Sequence, residues 1–373
     1  MIDTVVLTLT KDMYHISEPD KFKPSAHWVE NPTAKIREMQ SKQNPTKKEL
    51  RSGIYKPRLT IGHRINAHGS QVMLKIELSL PKLIFGNNFD ELQYKDFKNI
   101  ITKFVDVLKD MGVIVSAQTL TNAPISVIHY SKNIPLTNGS TPYHYINKIK
   151  EANIKLSLDV NQTDYRNEGY SFKWHCNTYE VAFYDKIKDL ETAKISSKRA
   201  LEKDSELQLN IFKNFINRKN LEILRIEVRL NKRQKIKQLF KLLNIKSELT
   251  FKSLFKPATS KKILLHYVNE LESKRSALID YKAPSDEALL AALMFHNPEL
   301  SLSKILQTFA FKKMLETKNI RELRIVFANY NRRGWYRLMS DTNKVGLPST
   351  QSSLSIIRDC INKFKPLRLN KFI

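Results

Sequence analysis

The chain has 373 residues, 41% of them hydrophobic, with 9 glycines and 2 cysteines. That is enough apolar material for one large domain or two ordinary ones, and it excludes fibrous, disordered and disulfide-framework chains. Lysine and arginine number 63 against 37 aspartates and glutamates, a net charge of +26, which points to a polyanion partner, nucleic acid before an anionic membrane surface.

The N-terminus, MIDTVVLTLTKDMY, lacks a cationic start and a small-residue cleavage site, so it reads as a first strand over residues 2–10 and not as a signal peptide. Residues 15–52 are polar, charged and dotted with proline, and are expected to form a long surface segment. Residues 54–64 and 71–80 alternate as strands joined by a turn containing Gly69. Residues 91–111 have helical spacing (Phe97, Ile100, Ile101, Phe104, Val105, Leu108) and stop at Gly112. Residues 113–130 are strand-like again, and Pro142 opens a short helix to about residue 152.

A brief strand is expected over 154–160, with Asp159 on its polar face. The next strand starts near residue 170 and contains YEVAFYDK, residues 179–186. In a strand, alternate side chains share a face. Tyr179, Val181 and Phe183 therefore share one side, and Glu180, Ala182, Tyr184 and Lys186 the other. A charged helical segment is expected over 188–218. LEILRIEVRLN, residues 221–231, is the cleanest alternation in the chain. It sets Leu224, Ile226, Val228 and Leu230 against Arg225, Glu227, Arg229 and Asn231.

From about residue 232 the period becomes helical, over 233–243, 261–274, 285–296, 301–316, 320–330 and 332–340. The fold expected is α+β. An antiparallel-sheet domain spans 1–245, and an all-helical domain spans 260–373. No apolar run reaches membrane-spanning length. A soluble chain in a reducing cytoplasm is expected.

Two constellations bear on chemistry. Glu77, Asp159 and Glu227 put carboxylates on strand faces, and His129 shares parity with Ile125 and Val127. Oxygen ligands of this kind suit a hard divalent cation, Mg²⁺ or Mn²⁺, if they converge. Beside them Tyr184 is a candidate nucleophile toward a DNA phosphate. Lys186 and Glu180 share its face and can tune its phenol or accept its proton. Arg225 and Arg229 flank Glu227 and suit phosphate clamping. In the helical half, Arg321, Arg324, Arg332, Arg333 and Arg337 lie among Tyr330, Trp335 and Tyr336. That mixture suits phosphate contacts and base stacking. There is no phosphate loop, no Gly-x-Ser-x-Gly elbow, no His-Glu-x-x-His helix and no His-x-His pair.

Taken in order, MIDTVVLTL, KIELSLPKLIFGNN (75–88), YEVAFYDK, LRIEVRLN (224–231) and the segment from SLSKILQTFAFKKM to NRRGWYRLMSD resemble the filamentous phage gene II/X replication initiators and related plasmid proteins. The resemblance implies a site-specific endonuclease that nicks one strand of a double-stranded circle at its origin. A tyrosine, by motif position Tyr184, would become attached to the 5′ end, and a later transesterification would rejoin the displaced strand. It also implies a divalent metal, origin DNA and the displaced single strand as partners, and a host helicase and single-strand-binding protein. Two departures stand out: Val127-Ile128-His129 occupies the place of an Arg-hydrophobic-Asp motif, and Asp185 falls on the strand face opposite Tyr184, so it is not counted as a ligand; the His-x-His pair of the wider nicking superfamily is also missing. The competing expectation is a non-catalytic origin-binding protein or repressor that uses the basic helices alone.

Overall fold

The computed structural model describes all residues except 25–28, 32–35, 47, 50, 51, 53, 68, 138, 151–162, 167–169, 190–221, 274–276, 319, 349–353 and 369–373. It is an α+β fold built on antiparallel strand pairing. The strands are β1 Ile2–Thr10, β2 His15–Ile16, β3 Lys23–Pro24, β4 Val29–Asn31, β5 Ile36–Gln43, β6 Arg58–Asn66 and β7 Gly69–Ser79. They continue with β8 Val113–Ile114, β9 Ile125–Leu136, β10 Thr163–Arg166, β11 Ser171–His175, β12 Tyr179–Asp185 and β13 Glu222–Leu230. Eleven of them form one sheet in the order β10-β11-β12-β13-β9-β1-β7-β6-β5-β3, with β4 added on β5; β2 and β8 make a separate ribbon.

Alternation decides which face packs. Val5, Leu7 and Leu9 of β1, Leu74, Ile76 and Leu78 of β7, and Leu224, Ile226, Val228 and Leu230 of β13 are all buried in one core. Helices cover that face. Phe97–Asp110 contributes Ile100, Phe104 and Leu108, and Pro257–Ser273 contributes Ile263, Leu264, Tyr267 and Val268. Each such side chain, taken fully out of water, contributes about 1.5–3 kcal/mol. The opposite residues on β9, β12 and β13 make the polar face described below.

Several elements differ from expectation. Residues 15–52 contain four strands, and β5 joins the main sheet. The stretch 113–130 divides into β8, a helix Ala117–Asn122 capped by the Ser116 hydroxyl, and the start of β9. The stretch from residue 170 is a hairpin. The chain reverses at Asn177, where the Cys176 amide donates to the Tyr179 carbonyl at 2.9 Å, and β11 pairs with β12. The strand expected over 154–160 and most of the helix expected over 188–218 lie outside the described residues.

The hydrophobic cores divide the chain differently from the boundary expected at 245–260. Phe251, Leu254 and the helix Pro257–Ser273 pack in the sheet core. A second core runs from Leu278 to Val345 and centres on Phe311, Leu293 and Trp335. The chain then returns, and Leu354, Ile357 and Ile361 of the final helix region rejoin the sheet core. Helical periodicity marks an apolar stripe but does not say which core receives it. The pair of helices expected over 320–330 and 332–340 is present as Ile320–Thr342, broken at Asn331 (φ −151°, ψ 95°). The Asn331 side-chain oxygen accepts the Gly334 amide at 2.8 Å and so caps the second half.

Candidate active site

The polar face is assembled by register. In β12 and β13, Tyr184 sits opposite Arg225, Ala182 opposite Glu227 and Glu180 opposite Arg229. Across β13 and β9, Glu227 faces Ser131 and Arg229 faces His129. Across β9 and β1, His129 faces Thr4. Three strands, β9, β12 and β13, thus bring one tyrosine, two carboxylates, two arginines and a histidine onto one surface.

The Tyr184 hydroxyl donates to Glu227 Oε2 at 3.2 Å. Arg229 Nη2 donates to the same oxygen at 2.8 Å, and Arg229 Nη1 donates to Glu180 Oε1 at 2.7 Å. Glu180 Oε2 is 3.5 Å from Lys173 Nζ on β11. His129 Nδ1 lies 3.8 Å from Glu227 Oε1. A polar chain therefore runs Lys173–Glu180–Arg229–Glu227–Tyr184, with His129 at its side. The Glu227 side chain is 4% exposed, while that of Arg229 is 32% exposed. Solvent therefore reaches the arginine before the carboxylate.

Three ionisations follow. Burial alone would raise the Glu227 carboxyl, but the Arg229 and Arg225 guanidiniums outweigh it and hold it well below the usual carboxylate range. Burial pushes the Tyr184 phenol up, and the Glu227 charge pushes it further, against a smaller pull from Arg225 and Arg229. Burial also lowers the His129 imidazole more than Glu227 raises it, so at neutral pH His129 is uncharged. The resting site is a neutral tyrosine hydrogen-bonded to an ionised glutamate.

Tyr184, Glu227, Arg229, Glu180 and His129 come together; the other expected residues do not join them in the roles expected. Strand parity alone makes Glu180 an acceptor for the Tyr184 proton or a counter-charge for Lys186. It is instead held by Arg229 and Lys173, because Tyr184 and Glu227 are diagonal neighbours across the β12–β13 pair. Parity likewise puts Lys186 on the strand face. The strand ends at Asp185, whose carboxylate accepts the Ile187 and Lys188 amides at 2.9 and 3.0 Å and turns the chain helical. Lys186 is buried, with its ammonium 5.1 Å from the centre of the Phe89 ring and 5.9 Å from that of Tyr184.

Arg225 is not an open phosphate clamp. It is buried and donates to Asp3 Oδ1 (2.7 Å), Ser131 Oγ (3.1 Å), Asn133 Oδ1 (3.0 Å) and the Asn88 carbonyl (2.8 Å). Trp335 is not a stacking platform. It is 2% exposed and packs against Phe311 and Phe327. Arg332, Arg333 and Arg337 are exposed, and half-buried Arg324 donates to the Tyr336 hydroxyl at 3.3 Å. The Arg321 side chain lies outside the described residues. Tyr179 packs on the opposite side of the sheet, stacked on Tyr267.

The expected metal ligands gather in part. Glu227 and His129 converge. Glu77 lies exposed on β7, opposite Val6, and Asp159 is outside the described residues. Among the described residues, no three of His, Cys, Asp or Glu form a group able to hold a metal ion. Glu227 and His129 are the two expected ligands that converge, and the full set of four is not assembled among the described residues.

Sequence reasoning misses Lys173, which only the β11–β12 hairpin brings to Glu180, and Asp3, Ser131 and Asn133, which hold Arg225. Once the hairpin is known, Lys173 has a parity signal: it faces Ala182 and so shares the Tyr184 side. Asp3 carries no such signal, because the pairing of β1 with β9 shifts register between Ile2 and Thr4. Comparison with protein-family models, curated proteins and solved structures finds no match to this chain. Among the described residues, no helix is long and apolar enough to cross a membrane.

Proposed function

We propose that this chain is a rolling-circle replication initiator, which nicks one strand of origin DNA with Tyr184 and later rejoins the displaced strand. The observation that carries the proposal is the hydrogen bond from Tyr184 to Glu227, with half-exposed Arg229 on the same carboxylate oxygen, in a chain of net charge +26. A nucleophile, a proton acceptor and a phosphate-binding cation then meet on one face.

The resting carboxylate is a weak base because Arg229 neutralises it. A DNA phosphate arriving at Arg229 competes for the guanidinium and withdraws it from Glu227, which raises the basicity of Glu227. Glu227 then takes the phenol proton as the Tyr184 oxygen attacks phosphorus. The P–O3′ bond breaks, the proton passes to the 3′ oxygen, and a 5′-phosphotyrosine remains. One phosphodiester replaces another, so the reverse attack by a 3′ hydroxyl closes a strand without a nucleotide cofactor. The proposal includes Mg²⁺ or Mn²⁺. Glu227 and His129 would hold it, and when bound it would polarise the scissile phosphate. Host helicase and single-strand-binding protein complete the proposed partners.

The test is incubation with a supercoiled circle carrying the cognate origin, with Mg²⁺ and then with EDTA. The expected result is a nicked circle and a protein–DNA adduct that survives SDS. Tyr184→Phe should lose both while keeping origin binding. An adduct of undiminished yield in Tyr184→Phe would move the nucleophile elsewhere. The exposed Arg332, Arg333 and Arg337 favour a second reading, an origin-binding protein or repressor without chemistry. Binding by the unmutated protein with no nicking at its own origin would select that reading.

A further inference from the structure

The sheet face that carries Tyr184 does not stop at β9. Thr4 of β1 faces His129, and Thr4, Val6 and Thr8 alternate with the buried Val5, Leu7 and Leu9. The same side of the sheet therefore continues through Thr8 onto β7, β6, β5 and β3. Register sets one row across those strands. Thr8 stands opposite Lys75, Lys75 opposite Thr60, Thr60 opposite Lys42, and Lys42 opposite Lys23. Lys23, Lys42 and Lys75 are exposed, while Leu59, Leu74 and Ile76 are buried on the other side of the sheet.

The charge of this row is one-sided. The carboxylates on the same face of β5, β6 and β7 are Glu38 and Glu77, and register sets each opposite an arginine, Arg64 and Arg58. The lysines of the row face threonine or each other. Lys42 stands directly opposite Lys23, and like charges so placed on paired strands repel. A phosphate between the two ammoniums removes that repulsion. From Lys23 to Lys75 is three strand spacings, about 14 Å, which spans several phosphates of a duplex strand at about 3.4 Å of helix axis each. No Phe, Trp or Tyr shares this face of β5, β6 and β7 among the described residues. An unpaired base therefore has no ring to stack on, and the contact the row offers is to the backbone of a duplex.

We propose that the row Lys23, Lys42 and Lys75 binds the phosphate backbone of double-stranded DNA beside the segment held at Tyr184. From β12 to β7 is four strand spacings, about 19 Å across the sheet, so the row meets DNA away from the reacting nucleotide. The proposal rests on the reading of this chain as a DNA-binding protein and needs no chemistry at Tyr184. The three lysines are exposed, so changing them leaves the core packing intact.

The test uses the full-length protein carrying Tyr184→Phe as parent, so that a failed nicking reaction cannot be mistaken for failure here. The probe is a fluorescein-labelled duplex of about two dozen base pairs and arbitrary sequence, titrated by anisotropy at several salt concentrations. Adding Lys42→Gln and Lys75→Gln should lower the salt slope by about 1.8, from two phosphates at about 0.9 each, and the affinity by about tenfold. The control adds Lys98→Gln and Lys103→Gln instead. It removes the same charge from exposed positions of the helix Phe97–Asp110, on the other side of the sheet. Its affinity should stay within about twofold of the parent, since the contact and not the net charge is at issue. Equal losses in the two double variants, or a row variant that matches the parent in slope and affinity, would overturn the proposal. An oligothymidylate of the same length is run alongside, and a loss on it as large as on the duplex would also overturn it. A parent that binds no duplex at all would overturn this proposal together with the DNA-binding reading. Duplex binding that depends on the row, in a protein that fails to nick its own origin, would uphold the row and remove only the chemistry.

Discussion

Replacing Glu227 with glutamine tests the site through stability as well as chemistry. The side chain is 4% exposed and carries three relations: the Tyr184 hydroxyl at 3.2 Å, Arg229 Nη2 at 2.8 Å and His129 Nδ1 at 3.8 Å. Removing one partner of a buried pair typically costs about 3–5 kcal/mol. Two features lower that figure here. Arg229 keeps Glu180 at 2.7 Å and has access to water, and the glutamine carbonyl can still accept one hydrogen bond. The expected loss is therefore about 2 kcal/mol at pH 7. The pH dependence has a definite sign. The native carboxyl titrates well below its unfolded value of about 4.3. Between the two values the unfolded chain binds more protons, so the Glu227 contribution is fully present above about pH 4.3 and fades as pH falls below it. Urea unfolding of parent and Glu227→Gln at pH 7 and near pH 3, followed by circular dichroism, gives the difference directly. A variant as stable as the parent at pH 7, or a deficit unchanged at low pH, would refute the buried ion pair.

Other outcomes follow from the same geometry. Arg225→Met leaves Asp3 without its guanidinium and should cost about 3–5 kcal/mol, read as loss of folded protein; a normal fold with weakened DNA binding would instead make Arg225 a phosphate ligand. Trp335→Ala removes a large side chain from the second core and should cost about 3–5 kcal/mol in thermal unfolding. Arg333→Ala with Arg337→Ala should leave stability within about 0.5 kcal/mol. The same double change should lower the salt slope of duplex binding by about 0.9 for each phosphate that is no longer neutralised, measured by fluorescence anisotropy.

The strand faces are legible in the sequence because side-chain alternation is a local property of extended backbone. From parity alone, Tyr184 separates from Tyr179 and Phe183, and Glu227 separates from Ile226 and Val228; the structure keeps both separations. The longer C-terminal helices are legible from their 3.6-residue period, down to the break at Asn331, whereas the helices Phe251–Leu254, Ala277–Asp280 and Ser355–Lys363 are not among those expected. The hairpin turn at Asn177 is not, because β-branched and aromatic residues run through both of its arms. The burial of Trp335 is hidden as well, because an aromatic among arginines looks the same whether it faces solvent or core.

Arginines 225 and 229 mark the limit most clearly. They lie on one strand, share one parity and flank one glutamate. Sequence by itself determines that both stand on the polar side of β13, since each strand residue turns its side chain opposite to the last. Only the tertiary structure decides that they differ in role. The far-off Asp3, Asn88, Ser131 and Asn133 close over Arg225 and bury it, while Arg229 stays open beside Tyr184. Which strand lies next to which, and which loop folds over its end, is set by pairings between residues far apart in the chain, and no local pattern encodes them.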